Sequence, residues 1–115
     1  MLDIVYHITM LGDLEQLVLL ALLRVGDGAY GVPIHAELRE SARRDVTLGT
    51  IYKTLSRLED KGFVRSFEGA PTAQRGGRRT RCFAMTPAGR RTLRATMQTI
   101  SRMAAGLDVG LEGGR

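Results

Sequence analysis

The segment of residues 13–25 is apolar around nearly its whole circumference when it is drawn as a helix. Its large apolar residues fall on almost every face: Leu14, Leu17, Val18, Leu19, Leu20, Leu22, Leu23 and Val25. A helix of this kind is buried, either at the centre of a fold or between two subunits. Asp13 is expected to cap it, with Gln16 completing a capping box. Other elements of the chain must therefore surround this helix.

Two amphipathic helices are predicted next. One begins near Pro33, whose fixed φ suits a first helical turn, and buries Ile34, Leu38 and Ala42. The other begins after Thr47, a favourable N-cap residue, and ends at Gly62, where a left-handed glycine belongs. Its buried stripe recurs at helical spacing and comprises Ile51, Tyr52, Leu55 and Leu58, with Leu48 leading into it.

A hairpin and a final helix complete the pattern. Apolar residues alternate in 63–67 and in 81–85, which predicts two half-buried strands joined by a mobile basic loop at 68–80. Thr86 and Pro87 supply a cap and a first-turn proline for the last helix. Apolar residues then follow at the spacing of a coiled-coil seam: Leu93, Met97, Ile100, Ala104 and Leu107. We predict that this seam is the interface of a homodimer.

Helix, helix, helix, hairpin and helix in this order predict a mainly α fold, the winged helix-turn-helix, with a C-terminal dimerisation helix. The expected divisions are an N-terminal extension at 1–12, a DNA-binding domain at 13–86, the dimerisation helix at 87–108 and a flexible tail at 109–115. The extension is expected to be frayed or packed on a partner.

The distribution of charge indicates a polyanionic partner. The net charge is +5, with −4 in residues 1–40 and +9 in residues 41–115. Residues 70–107 hold eight arginines and no acid. Such asymmetry is typical of proteins that bind nucleic acid on one side. The alternative is a surface of solvated arginines with no binding role.

Several classes of protein are disfavoured. The single cysteine, Cys82, excludes an intrachain disulfide and a thiolate zinc cluster; it is expected to be a small buried hydrophobe, with redox sensing as the alternative. His7 and His35 have no metal-ligand spacing, and no catalytic motif is present, so we expect neither an enzyme nor a cofactor. The longest apolar run, 17–23, is far shorter than the ~20 residues that cross a bilayer. Without a signal peptide, a cytoplasmic protein is expected.

The third helix is the predicted recognition helix for the major groove of DNA. On a helical wheel, Thr50, Lys53 and Arg57 fall opposite the buried stripe. Thr47, Gly49 and Thr50 are small, which lets the backbone approach the groove and its amides meet a phosphate. Lys53 and Arg57 have the reach to contact base edges or phosphates. The alternative is that they are ordinary solvated residues.

The predicted loop between the strands has the chemistry of a wing tip. Its glycines remove bulk, and its arginines supply phosphate contacts or enter the minor groove. The residues concerned are Arg75, Arg78, Arg79 and Arg81. The alternative is a flexible solubilising turn.

Four stretches together resemble the PadR family of bacterial transcriptional regulators: LEQLVLLALL at 14–23, AYGVPI at 29–34, LGTIYKTLSRLEDKG at 48–62 and FAMTPAG at 83–89. They span residues 12 to about 105. The resemblance is to the short branch of the family, with one C-terminal helix. It implies a homodimer on a pseudo-palindromic operator, with Thr50, Tyr52, Lys53 and Arg57 at or beside the DNA.

Two departures from the family pattern limit what the resemblance implies. Cys82 and Phe83 stand where many relatives carry tyrosines, and the chain has no tryptophan for a paired-tryptophan drug pocket. Repression relieved by a small-molecule effector is therefore expected without an identified effector. A winged-helix module that binds an acidic protein is the competing hypothesis. RNA binding is the weakest, because aromatic residues make up only 5% of the chain and sequence-specific RNA readers stack bases on aromatics.

Overall fold

The structure is a computed structural model that describes residues 10–70 and 80–107. The expectations for residues 1–9, for Arg75, Arg78 and Arg79, and for the tail from 108 onwards lie outside these residues. Within them the chain forms four helices and one hairpin in the predicted order: α1 (Asp13–Val25), α2 (Gly31–Ser41), α3 (Leu48–Asp60), β1 (Val64–Glu68), β2 (Arg81–Met85) and α4 (Pro87–Ala104). The mainly helical winged helix-turn-helix fold is confirmed.

The core forms around α1, as its apolar circumference requires. Val18, Leu19 and Leu22 of α1 are at most 1% exposed. They belong to one hydrophobic cluster with residues of every other helix and of the hairpin: Ile34, Leu38, Ile51, Leu55, Leu58, Val64, Phe83 and Leu93. Leu23 and Val25, in the last turn of α1, are exposed in the single chain. Burial of these apolar side chains is the main force that holds α1, α2 and α3 together.

The cap of α1 and the first residue of α2 lie upstream of the predicted positions. The N-cap of α1 is Gly12, not Asp13, and the Glu15 carboxylate accepts a 2.7 Å hydrogen bond from the Gly12 N–H. Gln16 instead donates to the carbonyl of Leu11, because a start one residue earlier places Glu15 at the third helical position. Likewise α2 begins at Gly31, so Pro33 lies in its first turn, where a missing N–H costs no helical hydrogen bond.

The predicted start and end of α3 and the predicted start of α4 are confirmed, whereas β1 is Val64–Glu68 instead of 63–67. The Thr47 hydroxyl caps α3 by accepting from the Thr50 N–H at 3.1 Å, and Gly62 ends that helix with φ +82°. The Thr86 hydroxyl caps α4 by accepting from the Gly89 N–H at 3.0 Å, and Pro87 is the first helical residue. Each of these signals acts over three or four residues of sequence.

The hairpin is more deeply buried than predicted. It pairs antiparallel from Val64 opposite Met85 to Glu68 opposite Arg81. On its other edge β2 exchanges hydrogen bonds with the α1–α2 connection: the Phe83 N–H donates to the Ala29 carbonyl at 2.8 Å, and the Gly28 N–H donates to the Phe83 carbonyl at 3.0 Å. Four of the five β2 residues are consequently buried, so the expectation of a half-buried second strand was wrong.

Candidate nucleic-acid interface

The recognition helix α3 turns one face to the core and one to solvent. Ile51, Leu55 and Leu58 are fully buried, as predicted. Thr54 is also buried, which the sequence did not indicate. Its burial leaves no unpaired hydroxyl, because the hydroxyl donates to the Thr50 carbonyl of the same helix at 2.8 Å. Leu48, expected to lead into the buried stripe, is 37% exposed.

The solvent face of α3 forms a shallow concave surface lined by Gly49, Tyr52, Lys53, Ser56, Arg57 and Asp60. Lys53 and Arg57 are exposed and make no hydrogen bond or ion pair with any residue in 10–70 or 80–107. Their cationic groups are therefore available to an external anion. Asp60 is an acid on the same face that the sequence analysis did not single out.

The packing of the described residues does not require a glycine at position 49. A side-chain carbon added there would lie 3.9 Å from the Thr47 hydroxyl and within 4 Å of nothing else. A glycine in a helix destabilises it by about 0.5–1 kcal/mol relative to alanine. Its presence at the exposed start of α3 fits a close approach of the backbone to an outside partner.

Tyr52, which was expected in the buried stripe, lies at the border between core and surface. Its ring centroid lies 6.3 Å from that of Phe83, at an interplanar angle of 50°. A Cβ at Gly31 would come within 2.5–2.8 Å of the Tyr52 ring and hydroxyl. Gly31 is therefore required by this packing and not only by the entry to α2. The tyrosine is half-buried, which leaves part of it at the surface beside Gly49.

Arg81 is not a free wing cation in the structure. Its guanidinium donates to Glu59 Oε1 at 2.6 Å and lies over the Phe83 ring, 5.1 Å from the centroid. The Ser66 hydroxyl and backbone N–H, together with the charge of Arg81, hold the pKa of the Glu59 carboxyl below its ordinary value. Arg81 was predicted to contact DNA, and its pairing with Glu59 was not predicted, because the two residues are 22 positions apart in sequence.

A second ion pair fixes the end of α3 against the start of α1. Lys61 Nζ donates to Glu15 Oε1 at 2.8 Å and to the Met10 carbonyl at 2.9 Å. Both side chains are largely buried, with 16% of Lys61 and 5% of Glu15 exposed. The sequence analysis missed this pair, because its partners are 46 residues apart.

The predicted dimer seam on α4 divides into two parts. Leu93 is buried in the core of its own chain, and Met97 packs against that core. Ile100 is 49% exposed and Met103 is 74% exposed. Ala104 ends the helix, so Leu107 lies beyond it and is also exposed. The surface left for a partner is therefore the C-terminal half of α4, which includes Met103, a residue not assigned to the seam.

Other kinds of site find little support. Within residues 10–70 and 80–107, no three His, Cys, Asp or Glu side chains are grouped so that they could hold a metal ion. No helix in the same part of the chain combines the length and apolar character needed to cross a membrane. Cys82 is buried, as expected.

This combination of a buried three-helix core, a paired hairpin and an exposed recognition helix defines a winged-helix protein of the transcriptional regulator class. The model of the transcriptional regulator PadR-like family matches residues 19–95. The chain belongs to that family. A search of curated proteins gave no match.

Solved structures of the same family have the same fold. A PadR family regulator from Clostridium difficile R20291 is 24% identical with a TM-score of 0.67, over 84% of this chain and 97% of that one. A PadR-like regulator from Bacillus cereus ATCC 14579 is 20% identical with a TM-score of 0.69, over 89% and 93%. A PadR family regulator from Eggerthella lenta DSM 2243 is 24% identical with a TM-score of 0.65, over 97% and 96%. These likenesses establish the fold.

Proposed function

We propose that the protein is a cytoplasmic, homodimeric repressor that binds a pseudo-palindromic operator in double-stranded DNA. The observation that carries the proposal is a pair of cations on the solvent face of α3, Lys53 and Arg57, which have no partner among the described residues. Gly49, at the start of the same face, leaves room for a groove edge. Membership of a family of transcriptional regulators supports the same conclusion.

The first experiment is a selection of duplexes from a random pool by the purified protein. We expect a two-fold related sequence to emerge, because a symmetric dimer presents two recognition helices about one helical turn of DNA apart. Binding should weaken steeply with salt, since each phosphate contact releases counterions. A module that binds an acidic protein would enrich no sequence.

Lys53→Ala and Arg57→Ala are expected to reduce sequence discrimination. A good bidentate contact from a basic side chain to guanine is worth about 1–3 kcal/mol. Each variant should therefore lose about that much affinity for the selected duplex and less for random duplex, measured at one salt concentration. Arg90→Ala is the control, because Arg90 lies in the first turn of α4 and its guanidinium is 3.8 Å from the Asp27 carboxylate. Equal losses on both duplexes would assign Lys53 and Arg57 to phosphates and contradict base reading.

The dimer is proposed to form through the exposed half of α4, with help from α1. Ile100→Asp combined with Met103→Asp should weaken it, because burial of one such side chain is worth about 1.5–3 kcal/mol. Sedimentation at micromolar concentration should show dimers for the unmodified protein and monomers for this variant. Gln98→Asp, on an exposed position of the same helix, should remain dimeric. A monomeric unmodified protein would refute the proposal.

An effector that releases the protein from DNA is the remaining part of the proposal. A groove of about 390 Å³ lies between α1 and α2, with an apolar lining and a rim formed by Arg24, Glu37 and Ser41. Its volume falls within the range of about 300–1,000 Å³ found for small-molecule sites. The groove supports the presence of a ligand without identifying its chemistry.

A further inference from the structure

Three elements meet at the Glu59 carboxylate. Its Oε2 accepts from the Ser66 hydroxyl at 2.6 Å and from the Ser66 N–H at 3.2 Å. Its Oε1 accepts from the Arg81 guanidinium at 2.6 Å. Glu59 belongs to the recognition helix, Ser66 to β1 and Arg81 to β2. One side chain thus ties the helix that faces DNA to both strands that carry the wing.

The geometry of this junction is more restrictive than that of an isolated surface ion pair. Both carboxylate oxygens are engaged, and the guanidinium is held from its other side by the ring of Phe83, which is fully buried. An exposed ion pair gains little because two long side chains must be ordered to form it. Here the core orders Arg81 through Phe83, and the strand backbone orders Glu59 through Ser66. The junction therefore restrains the direction of the hairpin relative to α3, in addition to the hydrogen bonds of Phe83 with Gly28 and Ala29.

We infer that Glu59 is a positioning residue for DNA recognition. It sets the angle between the recognition helix and the wing so that both reach the same duplex, and it does so without touching the DNA. Arg81 acts with it as the second half of the junction. This inference rests on the proposed function, because the angle matters only if the two elements bind one DNA molecule.

Electrostatics alone predicts the opposite effect of removing the Glu59 charge. An acid close to a DNA-binding face repels phosphates, so its neutralisation should strengthen binding. A positioning role predicts weaker binding instead. Asp60 provides a matched control: it is the next residue of the same helix, is exposed, and makes no hydrogen bond or ion pair with any residue in the described ranges.

The test compares Glu59→Gln, Asp60→Asn and the unmodified protein on two probes. One probe is the selected duplex, and the other is the same duplex shortened to the footprint of the two recognition helices. On shortening, the salt slope of the unmodified protein should fall by about 0.9 for each phosphate that the protein no longer reaches. Glu59→Gln should bind the long duplex at least about threefold more weakly than the unmodified protein does, an effect of the size seen for residues coupled in one network. Its affinity should fall little further when the duplex is shortened. Asp60→Asn should bind both duplexes more tightly than the unmodified protein, because it removes a negative charge from the face that holds Lys53 and Arg57.

A second variant separates positioning from direct contact. Arg81→Gln should show the same two effects as Glu59→Gln: weaker binding to the long duplex, and little further loss of affinity when the duplex is shortened. Glutamine at position 59 keeps an acceptor for Ser66, and circular dichroism should show unchanged helix content. The inference is overturned if Glu59→Gln binds as tightly as the unmodified protein, or if shortening costs both proteins equally. It is also overturned if Arg81→Gln alone lowers the salt slope, since Arg81 would then contact phosphate itself. Failure of the unmodified protein to bind any duplex would overturn the proposed function as well.

Discussion

Gly89→Ala is expected to destabilise the protein by about 3 kcal/mol, the upper part of the range for overpacking a well-packed site. Gly89 is buried in the first turn of α4, directly over the turn that follows α3. A Cβ at this position would overlap the Phe63 carbonyl oxygen and lie 3.0 Å from Cγ of Met85. The oxygen belongs to the backbone, and it already accepts from the Thr86 N–H at 3.0 Å. The backbone oxygen cannot shift without disturbing the Thr86–Phe63 hydrogen bond at the start of α4.

Urea unfolding at one fixed protein concentration measures this effect, because the stability of a dimer depends on concentration. Gly49→Ala is the matched control. It is also a helical glycine, but nothing in the described structure lies closer than 3.9 Å to the added carbon. That variant should be more stable by about 0.5–1 kcal/mol, the usual gain for alanine over glycine in a helix. Equal unfolding midpoints for the two variants would contradict the proposed clash.

Lys61→Met is expected to cost about 3–5 kcal/mol, the usual loss when one partner of a buried ion pair is removed. Methionine retains much of the lysine volume but leaves the Glu15 carboxylate with only the Gly12 N–H as a donor. The second oxygen of that carboxylate, Oε2, is already buried without a hydrogen-bond partner in the described structure. In this variant a buried charge loses its counterion and keeps a single hydrogen bond as compensation.

Two further variants identify the cause of that loss. Adding Glu15→Gln to Lys61→Met should recover part of the stability, because the buried group is then neutral. Arg44→Met breaks the exposed pair of Arg44 with Asp13, which is 2.8 Å long, and should cost at most about 1 kcal/mol. A similar loss for Arg44→Met and Lys61→Met would show that burial of the Glu15–Lys61 pair has no special effect.

The elements of the fold could be predicted because their signals are local. The Thr47 and Thr86 caps, the left-handed Gly62 and the apolar stripes of the helices each involve residues within one or two turns. The errors at the start of α1 and α2 are of one or two residues, where Gly12 and Gly31 carry weak signals of their own. Helix boundaries at this scale depend on which acceptor the first free N–H groups find.

The candidate site was only partly predictable, because its connections join distant residues. The exposed face with Lys53 and Arg57 follows from helical periodicity, and the structure places it where the wheel indicated. The pairing of Arg81 with Glu59 and the packing of Gly31 against Tyr52 both span about twenty positions of sequence. A single sequence shows both residues of such a contact, but it does not show that they touch. The burial of four of the five β2 residues is of the same kind, since it depends on the pairing of Phe83 with Ala29.

The hydrogen bonds between Phe83 and the Gly28–Ala29 segment also protect an edge of the hairpin from strands of other molecules. They occupy the edge of β2 that β1 leaves free. Unpaired strand edges attract strands from other molecules and promote aggregation. The outer edge of the hairpin is then β1, which displays Arg65 and Glu68, charged residues of the type that discourages strand-to-strand pairing. Growth of an intermolecular sheet is thus blocked at the β2 edge and opposed by charge at the β1 edge.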